Sequence, residues 1–254
     1  MHFCIITPTA GLELFATKSN WHMVLAPQFV KDQEYARFYV ERQRAGDFII
    51  LDNGAYEDDY QQDMFLQALR VLLPNVATLP DIIMKGPEST ARSLEFLRHY
   101  GHMFPNVQWL YMPQGRDLVE WCESLSKFPL FYELGVRWIG LTRFLRTHVY
   151  QVDDVRVDAA KWVRDRWPHV NIHAFGMANG DVGELDKLRE QGYVESCDSS
   201  APVWRGWNLC GLTDAVDLVY WDEKGTPVDF SVSLPEFGDL IKENLEACLG
   251  PTTE

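Results

Sequence analysis

Six short polar motifs stand at the ends of apolar runs in this sequence, and several carry a carboxylate or an amide. They are Asp52-Asn53-Gly54-Ala55-Tyr56, Leu79-Pro80-Asp81, Met112-Pro113-Gln114-Gly115, Gly140-Leu141-Thr142-Arg143, His173-Ala174-Phe175-Gly176-Met177 and Cys197-Asp198-Ser199-Ser200. Two carboxylates in one site can perform displacement at an anomeric carbon, one as the nucleophile and the other as the proton carrier for the leaving group. Taken singly, an Asp-Asn-Gly or an Asp before Ser-Ser also fits an ordinary turn or helix cap.

The elements that position these motifs are strands alternating with helices. Apolar runs bounded by Gly, Pro, Asp or Asn predict strands, and amphipathic segments between them predict helices. The predicted strands are Phe3–Thr7, His22–Ala26, Phe48–Leu51, Val76–Met84, Val107–Met112, Val136–Leu141, Val170–Phe175 and Tyr193–Cys197. The predicted helices are Asp58–Leu73, Glu88–His102, Arg116–Lys127, Asp153–Trp167, Asp181–Gln191 and Pro235–Leu249. Such repeated alternation indicates a parallel sheet.

A parallel sheet of this kind is either open and doubly wound or closed into a barrel. About eight strands in a chain of 254 residues favour the α/β class with a single (β/α)8 TIM-like barrel. No Gly-x-Gly-x-x-Gly follows a predicted strand, which argues against a dinucleotide-binding fold. Because composition marks no boundary, we predict one domain over residues 1–254. In a barrel the strands end at one common mouth, where we expect the polar motifs to meet.

Composition and charge limit the class of protein. Hydrophobic residues make up 46% and charged residues 24% of the chain, as in globular proteins. The 37 acidic and 23 basic side chains give a net charge of −14, which argues against extensive, sequence-independent binding of a polyanion such as nucleic acid. Neither a leader nor an apolar run of membrane-spanning length is present, so we expect a cytoplasmic protein without membrane contact. Five scattered cysteines predict free thiols and no metal or cofactor.

Taken together and in this order, the motifs resemble those of the tRNA-guanine transglycosylase superfamily. These enzymes are (β/α)8 barrels that exchange guanine in a polynucleotide for a 7-deazaguanine, and the match extends from about Leu51 to Arg205. The resemblance implies that Asp198 is the nucleophile and that Asp52 is the acid and base. It implies a base pocket that includes Asp81 as the reader of the guanine edge, and its members are Asn53, Tyr56, Asp81, Gln114, Gly115, Gly140, Leu141 and Met177.

Contact with nucleic acid is assigned to two arginines. The resemblance places Arg205 at a backbone phosphate, and Arg143 follows a predicted strand end. Arg116 and Arg146 also follow strand ends, so the sequence predicts a basic rim around an acidic pocket on an otherwise acidic protein.

One difference between this sequence and the tRNA-directed members of the family indicates which polynucleotide is the substrate. Members that act on tRNA carry a zinc site of closely spaced cysteines and a histidine after the nucleophile, whereas only Cys210 and Cys248 follow Asp198 here. We therefore expect no zinc subdomain. The chain is most similar to the DNA-directed branch of phages and bacteria, the DpdA-type enzymes. That similarity implies a pentosyltransferase that replaces guanine in DNA with a preQ0-type 7-deazaguanine through a covalent aspartyl-glycosyl intermediate, in the host cytoplasm if the protein is phage-encoded.

Other functions stay open on the sequence alone. One is a tRNA-guanine transglycosylase that acts on RNA, and another is a non-catalytic family member that binds nucleic acid or a partner protein. A third is an unrelated barrel glycosidase, in which Asp81 and Gln114 would have no evident guanine-reading task. The partners implied are DNA or alternatively tRNA, and a small 7-deazaguanine base. A protein partner or a homodimer is also left open.

Overall fold

The computed structural model of the chain describes residues 1–56, 60–145, 154–176, 182–207, 211, 230–231 and 238–250. Strands and helices alternate through these residues. The strands are β1 (His2–Ile5), β2 (Trp21–Leu25), β3 (Phe48–Asp52), β4 (Val76–Thr78), β5 (Gln108–Tyr111), β6 (Trp138–Leu141), β7 (Asn171–Ala174) and β8 (Ser196–Ser199). The helices are α1 (Leu12–Phe15), α2 (Ala26–Lys31), α3 (Gln33–Arg44), α4 (Gln62–Leu72), α5 (Gly86–Tyr100), α6 (Leu118–Leu125), α7 (Phe128–Glu133), α8 (Val155–Arg166), α9 (Val182–Gln191), α10 (Ala201–Trp207) and α11 (Gly238–Leu249).

The strands form one parallel sheet of eight in the order β1-β8-β7-β6-β5-β4-β3-β2. The two outer strands, β1 and β2, contact each other, so the sheet curves round almost to closure. Helices connect successive strands and cover the outside of the sheet. The protein is a (β/α)8 TIM-like barrel, which confirms the predicted fold class.

Side chains alternate between the inside of the barrel and the layer under the helices. On β3, Ile50 packs inside, whereas Ile49 and Leu51 belong to the outer core. Other strands fill the inside with apolar side chains in the same way: Cys4, Met23, Val76, Leu110 and Trp138. The inward side chains of β7 and β8 are instead polar, because His173 and Ser196 lie there, fully buried and paired in register. The barrel therefore has one polar inner wall.

Aromatic rings fill the end of the barrel at which the strands begin. Trp21 stacks between His2 and Phe48, with centroid distances of 4.1 and 3.8 Å. Trp138 lies 6.4 Å from Trp21 and 6.0 Å from Phe48, and its indole N–H donates to Gln108 at 2.8 Å. These aromatic residues start their strands, so the aromatic stack lies opposite the end where the polar motifs follow the strands.

Each predicted strand overlaps an observed strand, and the differences have local causes. The run predicted to extend to Met84 ends as β4 at Thr78, because Pro80 has no N–H for a sheet ladder. β8 extends over Ser196–Ser199 rather than over the predicted Tyr193–Cys197, so it includes Asp198. The predicted helices are present with ends shifted by a few residues, whereas α2 and α3 lie in a segment where the sequence predicted none.

Neither a membrane span nor a metal-ligand cluster is found in the part of the chain that the structure describes. No helix there is long and apolar enough to cross a membrane. No group of three or more His, Cys, Asp or Glu side chains there is arranged to hold a metal ion. Cys4, Cys122, Cys197 and Cys248 are free thiols, and Cys210 lies outside the described residues.

Candidate active site

A cavity opens where the strands end, at the opposite end of the barrel from the aromatic stack. Its empty volume is about 1030 Å³ with the solvent at its mouth included. Its lining combines apolar side chains with a few polar groups, as is usual for sites that bind small molecules. The structure brings six of the predicted site residues into the lining of this cavity, and they are Asp52, Tyr56, Asp81, Gln114, Arg143 and Asp198.

Asp198 is held by one of its two carboxylate oxygens. Its Oδ1 accepts a hydrogen bond from His173 Nε2 at 3.0 Å and another from the backbone N–H of Gly176 at 3.1 Å. Within the described residues, no protein group donates to Oδ2. Since the side chain is buried yet lines the cavity, Oδ2 is the oxygen left to react with a ligand.

Two amide side chains fix Asp81 as a hydrogen-bond acceptor. Asn53 Nδ2 donates to Asp81 Oδ1 at 2.8 Å, and Gln114 Nε2 donates to Oδ2 at 2.7 Å. The amide oxygens face the backbone N–H groups of Ala55 and Met84, which can only donate, so the two NH2 groups must face Asp81. Burial raises the pKa of the Asp81 carboxyl above its ordinary value, and the amide donors oppose part of that rise. Asn53 therefore orients Asp81 without itself lining the cavity.

Asp52 closes a tight turn at the end of β3 and also lines the cavity. Its Oδ2 accepts the backbone N–H of Gly54 at 3.0 Å. Gly54 has φ +83°, and a Cβ there would lie 2.5 Å from Cγ of Pro27, so the turn requires glycine. The turn interpretation and the site interpretation of the Asp-Asn-Gly motif thus both hold, because the turn places the carboxylate at the mouth.

Arg143 brings a positive charge into the cavity wall. Its Nη2 donates to the hydroxyl of Tyr56 at 2.9 Å, and its guanidinium carbon lies 4.6 Å from the centre of the Tyr56 ring. On its other side the Arg143 chain passes Gly176, where a Cβ would lie 3.1 Å from Arg143 Cδ. Arg143 therefore spans from the loop after β7 to the loop after β3, with Phe144 6.3 Å from Tyr56 as a further ring in the wall.

The sequence prediction missed His173 and Phe175 as site residues. His173 is 0% exposed and lies between Ser196 Oγ, 2.8 Å from Nδ1, and Asp198. Phe175 lines the cavity, with its ring 4.5 Å from that of His173. A signal for both was present, since the period of two in a strand puts them on one face while Ile172 and Ala174 face the outer core.

A buried ion pair supports the loop after β7. Arg156 Nε and Nη2 donate to the two carboxylate oxygens of Glu184 at 2.7 and 2.5 Å. Arg156 Nη1 donates to the carbonyl oxygens of Phe175 and Gly176 at 2.6 and 2.9 Å. The N–H of Gly176 donates in turn to Asp198. Residues on α8 and α9 therefore orient the loop that holds the Asp198 carboxylate.

Several predicted base-pocket residues lie outside the cavity lining. Gly115 packs against α6, where a Cβ would lie 2.3 Å from a backbone nitrogen. Gly140 lies behind the lining, because a Cβ there would be 2.7 Å from Cε of Met112. Leu141 belongs to the outer core and faces away from the barrel interior. Met177, predicted to cover the base, lies outside the described residues.

The predicted basic rim is found in part. Arg143 lines the cavity, whereas Arg205 is 7% exposed within α10 and is not among the lining residues, so its guanidinium has little surface for a phosphate. Arg116 has 76% of its side chain exposed and pairs with Glu120 at 2.7 Å. Arg146 lies outside the described residues. Among the residues that the structure describes, Arg143 is therefore the cation that lines the cavity.

Thr78 lines the cavity, but its hydroxyl is buried and, among the described residues, unpaired. The residue is 1% exposed, and its Oγ1 has no hydrogen-bond partner among the described residues. Valine has nearly the same shape without the polar group, so we expect Thr78→Val to raise the free energy of unfolding by about 1 kcal/mol, as measured by urea denaturation.

Thr142→Val is the matched control for that substitution. Thr142 also lines the cavity, but its Oγ1 accepts the N–H of Phe144 at 3.3 Å. Losing that acceptor should lower the free energy of unfolding by about 0.5 to 1.5 kcal/mol. Equal destabilisation of the two variants would contradict the unpaired state of Thr78.

Comparisons with known proteins find distant structural likenesses and leave the reaction open. No protein-family model and no curated protein matches the sequence. Among solved structures, D-psicose 3-epimerase from Clostridium cellulolyticum H10 is 12% identical over 78% of this chain and 84% of its own, with a TM-score of 0.46. The BexX/CysO complex from Amycolatopsis orientalis is 11% identical over 100% and 93%, with a TM-score of 0.47. CdNal from Clostridium difficile, solved with mannosamine, is 12% identical over 76% of this chain and 62% of its own, with a TM-score of 0.42. Likenesses this distant say nothing about the substrate of this chain.

Proposed function

We propose that the protein is a transglycosylase of the tRNA-guanine transglycosylase superfamily that replaces guanine in DNA with a 7-deazaguanine base. One observation carries the proposal: three aspartates from three strand ends share one cavity with three different hydrogen-bond environments. Within the described residues, Asp198 has an oxygen without a donor, whereas both oxygens of Asp81 are fixed by amides and Asp52 is held by a turn. These environments suit a nucleophile, a reader of N–H groups and a proton carrier.

In this proposal, guanine is recognised by the Asp81 carboxylate, which two amide donors hold in one orientation. Guanine presents N1–H and its exocyclic amine as adjacent donors, and the Asp81 carboxylate retains lone pairs beyond those used by Asn53 and Gln114. Gln114 keeps a second amide hydrogen for an acceptor such as O6. Adenine would offer an acceptor where guanine offers N1–H, so Asp81 would discriminate against it. Tyr56 and Phe175 supply rings in the wall of the cavity.

The first half of the exchange forms a covalent intermediate. A base inside a duplex is out of reach, so the target nucleotide enters flipped or from a single strand. Asp198 Oδ2 attacks C1′, the C1′–N9 bond breaks, and the electron pair leaves with guanine, which Asp52 protonates. The sugar is then joined to Asp198 as an ester.

The second half reverses these steps with another base. Asp52 takes the N9 proton of the incoming 7-deazaguanine, and N9 attacks C1′. The bond between C1′ and Asp198 Oδ2 breaks and its electron pair returns to the carboxylate. Two displacements at one carbon retain the configuration of the glycosidic bond.

An incorporation assay tests the proposed function and separates its rivals. The protein is incubated with a DNA oligonucleotide or with tRNA and candidate 7-deazaguanines that carry a nitrile, an amide or an amine, and the nucleosides are then measured by mass spectrometry. We expect free guanine and a 7-deazaguanine nucleoside in DNA. Incorporation into tRNA alone would favour the RNA alternative. No incorporation into either polymer, with sugar released from a glycan, would favour a glycosidase.

The raised pKa of Asp81 predicts the pH dependence of guanine binding. The ionised carboxylate accepts the guanine donors, so affinity is full above the Asp81 pKa and falls by about tenfold per pH unit below it. Because burial raises that pKa, the loss should begin at a higher pH than for an ordinary aspartate. Calorimetric titration of free guanine from about pH 8 to about pH 4 measures this.

Asp81→Ala provides the control for the titration. The variant has no carboxylate at this position, so its weaker guanine binding should lack the acidic fall seen in the wild type. If both proteins lose affinity over the same pH range, another group is responsible for the fall. Unchanged preference for guanine over adenine in Asp81→Ala would likewise contradict the reading role.

A further inference from the structure

Both donors to the Asp198 carboxylate bind the same oxygen. His173 Nε2 and the N–H of Gly176 lie 3.0 and 3.1 Å from Oδ1. A carboxylate can only accept, so Nε2 carries a proton in this contact. Ser196 Oγ contacts the other ring nitrogen at 2.8 Å, and the ring is fully buried, so His173 is fixed in orientation.

We infer that His173 is a positioning residue which, together with the Gly176 N–H, directs Oδ2 of Asp198 to the sugar and stabilises the carboxylate when it leaves C1′. This inference rests on the proposed function. The two donors desymmetrise the carboxylate before attack, because they occupy Oδ1 and leave Oδ2 facing the ligand.

The same donors act on the intermediate. Once Oδ2 has bonded to C1′, Oδ1 becomes the carbonyl oxygen of the ester and still accepts from His173 and Gly176. When N9 of the incoming base attacks C1′, the C1′–Oδ2 bond breaks and its electron pair enters the carboxylate, where negative charge develops on Oδ1 as well. Fixed donors at an oxygen on which charge develops stabilise the transition state.

The Gly176 donor is itself rigidly held. Its carbonyl oxygen and that of Phe175 accept from the buried Arg156, which pairs with Glu184. The second donor therefore stays in place when His173 is replaced. Removal of the imidazole alone should weaken the donor pair without releasing the loop.

The experiment measures the decay of the covalent intermediate in His173→Phe. A labelled oligonucleotide is incubated with the protein, the adduct is followed on a denaturing gel, and excess 7-deazaguanine base is then added. We expect the adduct of His173→Phe to decay about 10- to 100-fold more slowly than that of the wild type. The affinity for free guanine, measured by calorimetry, should stay within about twofold, which a general structural defect would not allow.

Two further variants bracket this result. Ser196→Ala removes the hydroxyl that helps to orient the His173 ring but keeps both donors to Asp198, so its adduct should decay faster than that of His173→Phe. His173→Gln retains an N–H donor, so its adduct should decay faster than that of His173→Phe. Decay of the His173→Phe adduct at the wild-type rate, or slowing that merely parallels lost guanine affinity, would overturn the inference.

A measurement on the wild type covers the case in which the His173 variants do not fold. Carboxyl-13C aspartate identifies the ester carbonyl of the adduct by isotope-edited infrared spectroscopy. Two donors on Oδ1 should shift its stretch to lower wavenumber than that of a solvent-exposed ester, and an unshifted band would overturn the inference. Absence of any wild-type adduct with DNA or tRNA would instead contradict the proposed function.

Discussion

Asp198→Asn should lower the rate of base exchange by at least about 10³-fold, because it removes the nucleophile of the proposed covalent mechanism. The substitution should nevertheless preserve the site. The amide oxygen can take the place of Oδ1, where His173 and the Gly176 N–H both donate, and this fixes the NH2 group at the position of Oδ2. An amide nitrogen there cannot attack C1′, so the variant should bind guanine and form no adduct.

Single-turnover exchange of labelled guanine measures this loss. Asp165→Asn is the matched control, since Asp165 is an exposed aspartate on α8 that pairs with Lys161 and lies outside the cavity lining. That variant should exchange guanine at the wild-type rate. Exchange by Asp198→Asn at a rate near that of the wild type would show that Asp198 is not the nucleophile.

Arg156→Met should lower the free energy of unfolding by about 3 to 5 kcal/mol. The substitution leaves the Glu184 carboxylate buried without its partner and removes the donor to the carbonyl oxygens of Phe175 and Gly176. Since the Gly176 N–H holds Asp198, adduct formation should slow even at temperatures where the variant remains folded.

Urea denaturation and a double-mutant cycle separate the parts of this effect. Arg156→Met combined with Glu184→Met removes both charges, so the double variant should be more stable than Arg156→Met alone. Lys161→Met, which breaks an exposed pair with Asp165 on the same helix, should leave stability unchanged. A loss in Arg156→Met no larger than that in Lys161→Met would contradict the structural role of the buried pair.

The barrel was predictable because its signals are local and repeated. Runs such as Phe48–Leu51 have the length of a strand, and the segments between them have the period of a helix. The site was predictable to the extent that a residue at a strand end must face the common mouth, as Asp52 and Asp198 do. Asp81 and Gln114 line the cavity for the same reason, because each lies three residues beyond the end of its strand.

Other parts of the site depend on contacts between distant segments, which the sequence does not encode locally. The partners of Arg156 lie 19 to 28 residues away, and Arg143 meets Tyr56 across 87 residues. Arg205 follows a strand end like Arg143, yet it is buried within α10. The spacing that predicts a strand end therefore does not predict which of two arginines reaches the cavity.

The aromatic stack at the start of the strands gives the cavity a blind end. Among the described residues, His2, Trp21, Phe48 and Trp138 fill the far end of the barrel, so a ligand would enter and leave by the mouth at the strand ends. In the proposed exchange, guanine would then leave through the mouth before its replacement arrives, while the polynucleotide stays attached to Asp198. The proposed exchange should therefore follow a ping-pong order, in which guanine and the incoming base compete for the covalent form of the enzyme.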